Sequence, residues 1–198
     1  MTEETGRRER KKAQTRRSLA DAALRLFLQH GYDQVSVKDV ADAADVSVTT
    51  LFKHFPSKEA LVFDEDDDIE TALVAAVRDR APGRSIPAAL RAHILATTPD
   101  ITVPGFAEFL RMTTDTPALR DYGHRMWMRH QTALAHAIAE EVGARPEDVA
   151  CAALARFALE TRDLTRREPD QAHALDEIFN LLEFGWTAGH PTVDRPQR

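Results

Sequence analysis

Residues 31–61, GYDQVSVKDVADAADVSVTTLFKHFPSKEAL, constrain the fold more than any other part of the chain. Val37, Val40, Ala41 and Ala44 recur at three- and four-residue spacing and so make one apolar helix face. Ala44-Asp45-Val46 breaks that period, and Ser47 opens a second short helix by offering its hydroxyl to the first free N–H groups. In this second helix Val48, Leu51, Phe52 and Phe55 are available for packing, which leaves Ser47, Thr49, Thr50, Lys53 and His54 facing outward. Two short helices joined by a tight turn, the second with a polar face at its start, form a helix-turn-helix, the unit that enters the major groove of DNA. A chain built this way is expected to bind DNA.

The ordered set around this unit carries a resemblance. Ala22-Ala23, Leu26-Phe27, Gly31-Tyr32, Val37, Val40-Ala41, Ala44, Val46-Ser47, Thr50-Leu51-Phe52, His54-Phe55 and Pro56-Ser57-Lys58-Glu59 together resemble the N-terminal domain of the TetR family of transcriptional regulators, from about Lys12 to Leu61. Two positions depart from the family pattern. Asp45 stands where the family usually has Gly in the turn, and Asp tolerates a left-handed backbone better than most residues. Phe52 stands where many members carry Tyr, so a phosphate-directed hydroxyl is missing.

The resemblance implies an all-α fold: an N-terminal three-helix DNA-binding domain plus a larger C-terminal helical domain for ligand binding and dimerisation. It also implies a homodimer on double-stranded operator DNA, with repression from a palindromic operator relieved by a small-molecule effector. Ser47, Thr49, Thr50 and His54 are then the expected groove contacts. Lys53, Lys58 and the N–H groups at the start of the fourth helix are expected to hold phosphate. Ser36, Val48 and Phe52 complete the candidate DNA-facing set.

A net charge of −6 fits a DNA-binding chain only once it is divided. Residues 1–63 carry 11 Lys/Arg against 9 Asp/Glu, whereas residues 64–198 carry 15 against 23. Arg7, Arg8, Arg10, Lys11, Lys12, Arg16 and Arg17 are opposed within their own stretch only by Glu9. Phosphate neutralisation needs local charge, which this end of the chain supplies.

Four segments are expected: a basic flexible arm over residues 1–11, the DNA-binding domain over 12–60, the effector-binding and dimerisation domain over 61–190, and a frayed tail over 191–198. Helix 1 should run from near Lys12 to His30 and close at Gly31. Ser57 should cap a long fourth helix that carries Leu61, Ile69, Leu73, Ala76 and Val77 as far as Pro82-Gly83. Further helices are expected near Pro87–Thr98, Pro104–Thr114, Pro117–Val142, Pro146–Arg166 and Asp170–Ala188. No period-2 run points to a sheet.

The last two helices are apolar over most of their circumference, which requires burial on more than one side. TetR-like proteins pair their last helices into a four-helix bundle. Leu154, Ala158, Leu175, Ile178 and Leu182, with Trp186 on the same face, are the expected interface. The family resemblance also implies an effector pocket in the body. His93, Phe109, Met112, Met126, Trp127, His130, Phe157 and Thr161 are its candidate lining, with Arg111, Glu160 and Arg162 as further polar candidates.

Other chemistry finds little support. The run Asp64–Asp68 with Glu70 reads as a solvated helix stretch, because consecutive helical carboxylates fan around the axis rather than converge on a metal. Cys151, the only cysteine, lies in an Ala-rich run and reads as an inert core residue. Catalytic serine motifs, phosphate loops and HExxH are absent, so no catalytic residue, metal or cofactor is expected. No stretch approaches the ~20 apolar residues of a membrane span, and a charged N-terminus makes the cytoplasm the expected location. Two alternatives stay open at this point: a regulator without a small-molecule effector, controlled by a partner or by abundance, and a helical enzyme that carries a helix-turn-helix fragment.

Overall fold

The computed structural model describes residues 2–98, 103–166 and 168–185. Regular structure among them is helical throughout: α1 (Thr2–His30), α2 (Val37–Ala43), α3 (Val48–His54), a 3-10 turn (Glu59–Leu61), α4 (Asp66–Arg78), α5 (Ile86–Thr97), α6 (Phe106–Asp115), α7 (Pro117–Val142), α8 (Val149–Thr165) and α9 (Gln171–Phe184). These helices fall into two compact units. Among the described residues the first holds 2–67 and 103–126, the second 68–98, 127–166 and 168–185.

In the first unit, Leu19, Ala23 and Phe27 of α1 are buried with Val40 and Ala41 of α2 and with Leu51 and Phe55 around α3. These residues recur at helical spacing, so the long α1 and the two short helices α2 and α3 close one core. Gly31 ends α1 in the left-handed conformation (φ +86°) while its N–H bonds the Phe27 carbonyl at 2.9 Å. Tyr32 then folds back onto Phe27, ring centroids 5.1 Å apart. Leu119 belongs to the same core, with Phe109, Met112 and Tyr122 packed against it. The compact unit therefore differs from the sequence boundary at residue 60: α6 and the first turns of α7 pack with the helix-turn-helix.

Two further elements differ from the sequence reading. The basic segment expected as an arm is helical from Thr2, continuous with α1. Its Arg, Lys and Glu residues are strong helix formers, and hydrophobic periodicity is blind to a polar helix. The single long fourth helix is replaced by the 3-10 turn and a separate α4. Between them Phe63 turns aside to stack on Tyr122 (centroids 5.4 Å, planes at 13°). The acidic run consequently opens α4, where carboxylates favour the helix dipole.

In the second unit α5 packs on both α8 and α9. Leu90 and Ile94, Leu134 and Ile138, Ala155 and Ala158, and Leu175 and Phe179 fill the core between α5, α7, α8 and α9. Ser85, Asp148 and Asp170 cap α5, α8 and α9 by accepting a backbone N–H three residues on. Trp186 and the segment 191–198 lie outside the described residues.

Candidate nucleic-acid interface

The helix-turn-helix is assembled by local hydrogen bonds that the sequence encodes directly. Ser36 and Asp39 form a reciprocal capping box: the Ser36 hydroxyl accepts from Asp39 N–H at 3.2 Å, and the Asp39 carboxylate accepts from Ser36 N–H at 2.8 Å. The Ser36 hydroxyl, which also donates to that carboxylate, and its backbone N–H hold Asp39 below the usual carboxylate range. In the turn Asp45 adopts φ +52°, the Val46 N–H reaches the Ala41 carbonyl (3.0 Å) and the Asp45 N–H the Asp42 carbonyl (3.2 Å). This is the Schellman pattern with Asp in the glycine position.

Ser47 caps α3 by accepting from Thr50 N–H at 3.1 Å, and the two hydroxyls lie 2.9 Å apart. Leu51 and Phe55 face the core and Val48 is half-buried against it. Thr49, Phe52 and Lys53, at positions i, i+3 and i+4, therefore share the outward face of the reading helix. Phe52 is suited to packing by its chemistry, yet 49% of it is exposed. Thr50 is half-buried with its hydroxyl beside Ser47, so Thr49 is the freer of the two threonines.

Two cations that the sequence offers to phosphate point inward instead. Lys58 donates to the Tyr32 carbonyl at 2.6 Å and sits 4.0 Å from the Tyr32 ring centre and 5.5 Å from that of Phe27. Burial lowers its pKa from the ordinary lysine value. Beside it the Tyr32 hydroxyl donates to Glu59 at 3.0 Å; burial and this carboxylate raise the phenol. Arg16 lies 4.4 Å over the Phe55 ring and donates to the His54 carbonyl (2.8 Å) and the Asp64 carbonyl (2.7 Å). It is a clamp that holds α1 against the end of α3. In the sequence Arg16 is only one more basic residue; its one signal is a position one turn ahead of the apolar residues Leu19 and Ala20. His54, half-buried beside it, is held below the ordinary histidine value by burial first and by the charges of Arg16 and Lys12 second. The fourth-helix start expected to hold phosphate is the 3-10 turn, where the Ala60 N–H is already bonded to the Ser57 hydroxyl at 3.3 Å.

Residues 19–64 match the model of the tetR family of bacterial regulatory proteins. Over 142 residues the chain is 30% identical to MftR of Mycobacterium tuberculosis, a transcriptional regulator named for mycofactocin biosynthesis, covering 70% of this chain and 71% of that one. The chain belongs to the TetR family. It is 39% identical over 80 residues to the HTH-type transcriptional regulator TcmR of Streptomyces glaucescens, a match covering 40% of this chain and only 35% of TcmR. GusR of Salmonella enterica shares the fold at a TM-score of 0.55 and 22% identity, with 85% of this chain and 93% of that one covered. As a TetR-family protein the chain is a DNA-binding transcriptional regulator and not an enzyme.

In the body of this TetR-family chain the candidate effector residues divide. Phe109 and Met112 pack against the core of the first unit and Met126 is buried there, while Arg111 is exposed and pairs with Glu108. In the second unit, His130 is fully buried and meets the Trp127 ring edge-on at 5.2 Å. Arg162 lies 5.9 Å from the Trp127 centroid, donates to Thr97 at 2.6 Å, and its charge, after burial, lowers the pKa of half-buried His93. Thr161 is buried and donates to the Ala158 carbonyl at 2.6 Å, so its hydroxyl is engaged within α8. Phe157 is 54% exposed and does not join them, and Glu160 faces outward, 4.0 Å from Arg156.

The expected interface residues also divide. Ala158 and Leu175 are fully buried in the core of their own unit and have no surface to offer a partner. Leu154, Ile178 and Leu182 are half-buried. The apolar side chains left outward are Val149, Phe157 and Leu164 on α8 and Leu181 and Phe184 on α9. Burial and the neighbouring Asp148 raise the Cys151 thiol, which disfavours a reactive thiolate. Among the described residues no cluster of His, Cys, Asp or Glu could hold a metal, and no helix is long and apolar enough to cross a membrane.

Proposed function

We propose that this TetR-family regulator is a homodimeric repressor that leaves a palindromic operator when a small molecule binds in its C-terminal unit. The observation that carries the reading is the outward apolar face of α8 and α9, the two helices that also bury Ala155, Ala158, Leu175 and Phe179 on their other side. Phe157 and Leu164 are 54% and 65% exposed and Phe184 is 64% exposed. Large apolar side chains exposed on two packed helices favour a second copy as their cover, because leaving that surface in water forfeits about 25 cal/mol per Å². A two-fold dimer carries two reading helices, which suit half-sites about one DNA turn (~34 Å) apart.

Thr49, Phe52 and Lys53 are the side chains proposed to enter or border the groove, with Ser36 and Ser47 at helix starts beside phosphate. The support for an effector is the polar and aromatic group formed by half-buried Trp127, His93 and Arg162 over the fully buried His130. An effector acts by the difference in its affinity for DNA-competent and DNA-incompetent states, not by tight binding alone. Selection of genomic fragments on the pure protein, followed by footprinting, tests the reading. Two protected half-sites, a dimer in solution and release by a metabolite fraction are expected. A monomer protecting one half-site would overturn it.

A further inference from the structure

Arg162 differs from three arginines of the second unit that pair with a carboxylate across elements. Arg78 pairs with Glu140 at 2.6 Å, Arg80 with Glu141 at 2.5 Å and Arg91 with Asp176, each on a neighbouring element. Arg162 is half-buried, yet among the described residues it pairs with no carboxylate. The acidic residues nearest to it on α8 are engaged elsewhere, Glu160 towards Arg156 and Asp163 with Arg166. A neutral hydroxyl, that of Thr97, accepts its hydrogen bond, and the guanidinium carbon lies 5.9 Å from the Trp127 ring centre. Burial lowers its pKa. A guanidinium withdrawn from water costs free energy unless an anion completes it.

Resting on the effector reading above, we infer that Arg162 and His93 receive the carboxylate of an organic monoanion whose apolar body lies against Trp127, while Thr97, whose hydroxyl donates to the His93 carbonyl at 2.8 Å and accepts from Arg162, holds the guanidinium in place. Guanidinium presents a planar fork that matches a carboxylate with two parallel hydrogen bonds. The charge count selects the class. Burial and the charge of Arg162 hold His93 towards its neutral form, so the group offers one full positive charge. One charge balances a carboxylate, whereas a phosphate dianion would leave an excess negative charge in a half-buried site. The indole supplies a flat apolar surface, and the buried His130 edge fixes that ring in place.

The test uses matched pairs of acid and neutral amide: decanoate with decanamide, and 1-naphthoate with 1-naphthamide. Affinity is measured by calorimetry on the full chain, for the wild type, Arg162→Gln, Arg162→Lys and Thr97→Val, and operator binding is measured alongside. At least one acid is expected to bind about tenfold or more tightly than its amide. Arg162→Gln should remove that preference while leaving amide affinity within about twofold, and Arg162→Lys should retain part of it. If neither acid outbinds its amide, or if Arg162→Gln weakens both members equally, the inference falls. Should Arg162→Gln fail to fold, the wild-type acid–amide difference and its reduction in Thr97→Val still decide. The two readings separate cleanly. Arg162-dependent acid binding that leaves operator affinity unchanged supports the anion site and overturns the effector role. Operator release by an amide as effective as its acid supports the effector role and overturns the anion site.

Discussion

At the scale of single residues, position 45 shows a side chain held in a costly conformation that its neighbours enforce. Asp45 sits at φ +52° because the Val46 and Asp45 N–H groups must turn back to Ala41 and Asp42 to end α2. Asp45→Val should destabilise the protein by about 1–2 kcal/mol, since a β-branched residue resists the left-handed region, whereas Asp45→Gly should cost nothing or add a few tenths. Urea unfolding of the two variants checks this; equal midpoints would mean that the turn is not strained. Thr49 and Lys53 lead to a different pair of outcomes. Thr49→Ala should alter base preference by roughly 1–3 kcal/mol at one position, and Lys53→Ala should weaken all sequences alike and lower the salt slope by about 0.9. Lys58→Ala should chiefly lower stability, because its ammonium is bound to the Tyr32 carbonyl and ring. If Lys58→Ala changed operator affinity with unfolding untouched, the inward assignment would be wrong. Asp45 and the Ser47 cap were legible in the sequence because their partners lie within four residues. Lys58 and Arg16 were not, because the groups they meet lie 26 and 38 or more residues away.

At the scale of elements, the first turns of α1 are where sequence and structure differ most. Arg7, Arg8, Arg10 and Lys11 are exposed on a helix rather than strung along a loose arm, so their charges are fixed relative to α1. Hydrophobic period finds helices that pack, and this one has no apolar stripe to reveal it. The same limit hid the break before α4, because Phe63 stacks on Tyr122, a partner 59 positions further along the chain. Deleting residues 2–11 should lower operator affinity and flatten the dependence of log affinity on log salt by about 0.9 for each phosphate that this segment neutralises. It should leave the thermal midpoint of the rest almost unchanged, since Leu19, Ala23 and Phe27 join α1 to the core. Identical salt slopes for both lengths would show that this charge touches no DNA.

At the scale of the whole molecule, the sequence gives the expectation that α8 and α9 need cover on two sides but not which residue faces which side. A helix with Ala or Leu at nearly every turn satisfies several rotations about its own axis equally well. The packing of α5 against α8 and α9 fixes that rotation, drawing Ala158 and Leu175 inward and leaving Phe157, Leu164 and Phe184 outward. This division makes dimerisation separable from folding. Phe157→Glu and Leu164→Glu should each yield a folded, helical chain whose mass in solution is 22.1 kDa instead of twice that value. Ala158→Glu should instead give insoluble or unfolded protein, because it places an unpaired carboxylate in the core at a cost of several kcal/mol. Sedimentation velocity together with circular dichroism distinguishes the three cases. The monomeric variants should also lose most of their affinity for a two-half-site operator while keeping weak binding to one half-site, since a second reading helix held at fixed spacing acts as a locally concentrated ligand. Retention of a stable dimer in both exposed-face variants would move the interface away from α8 and α9.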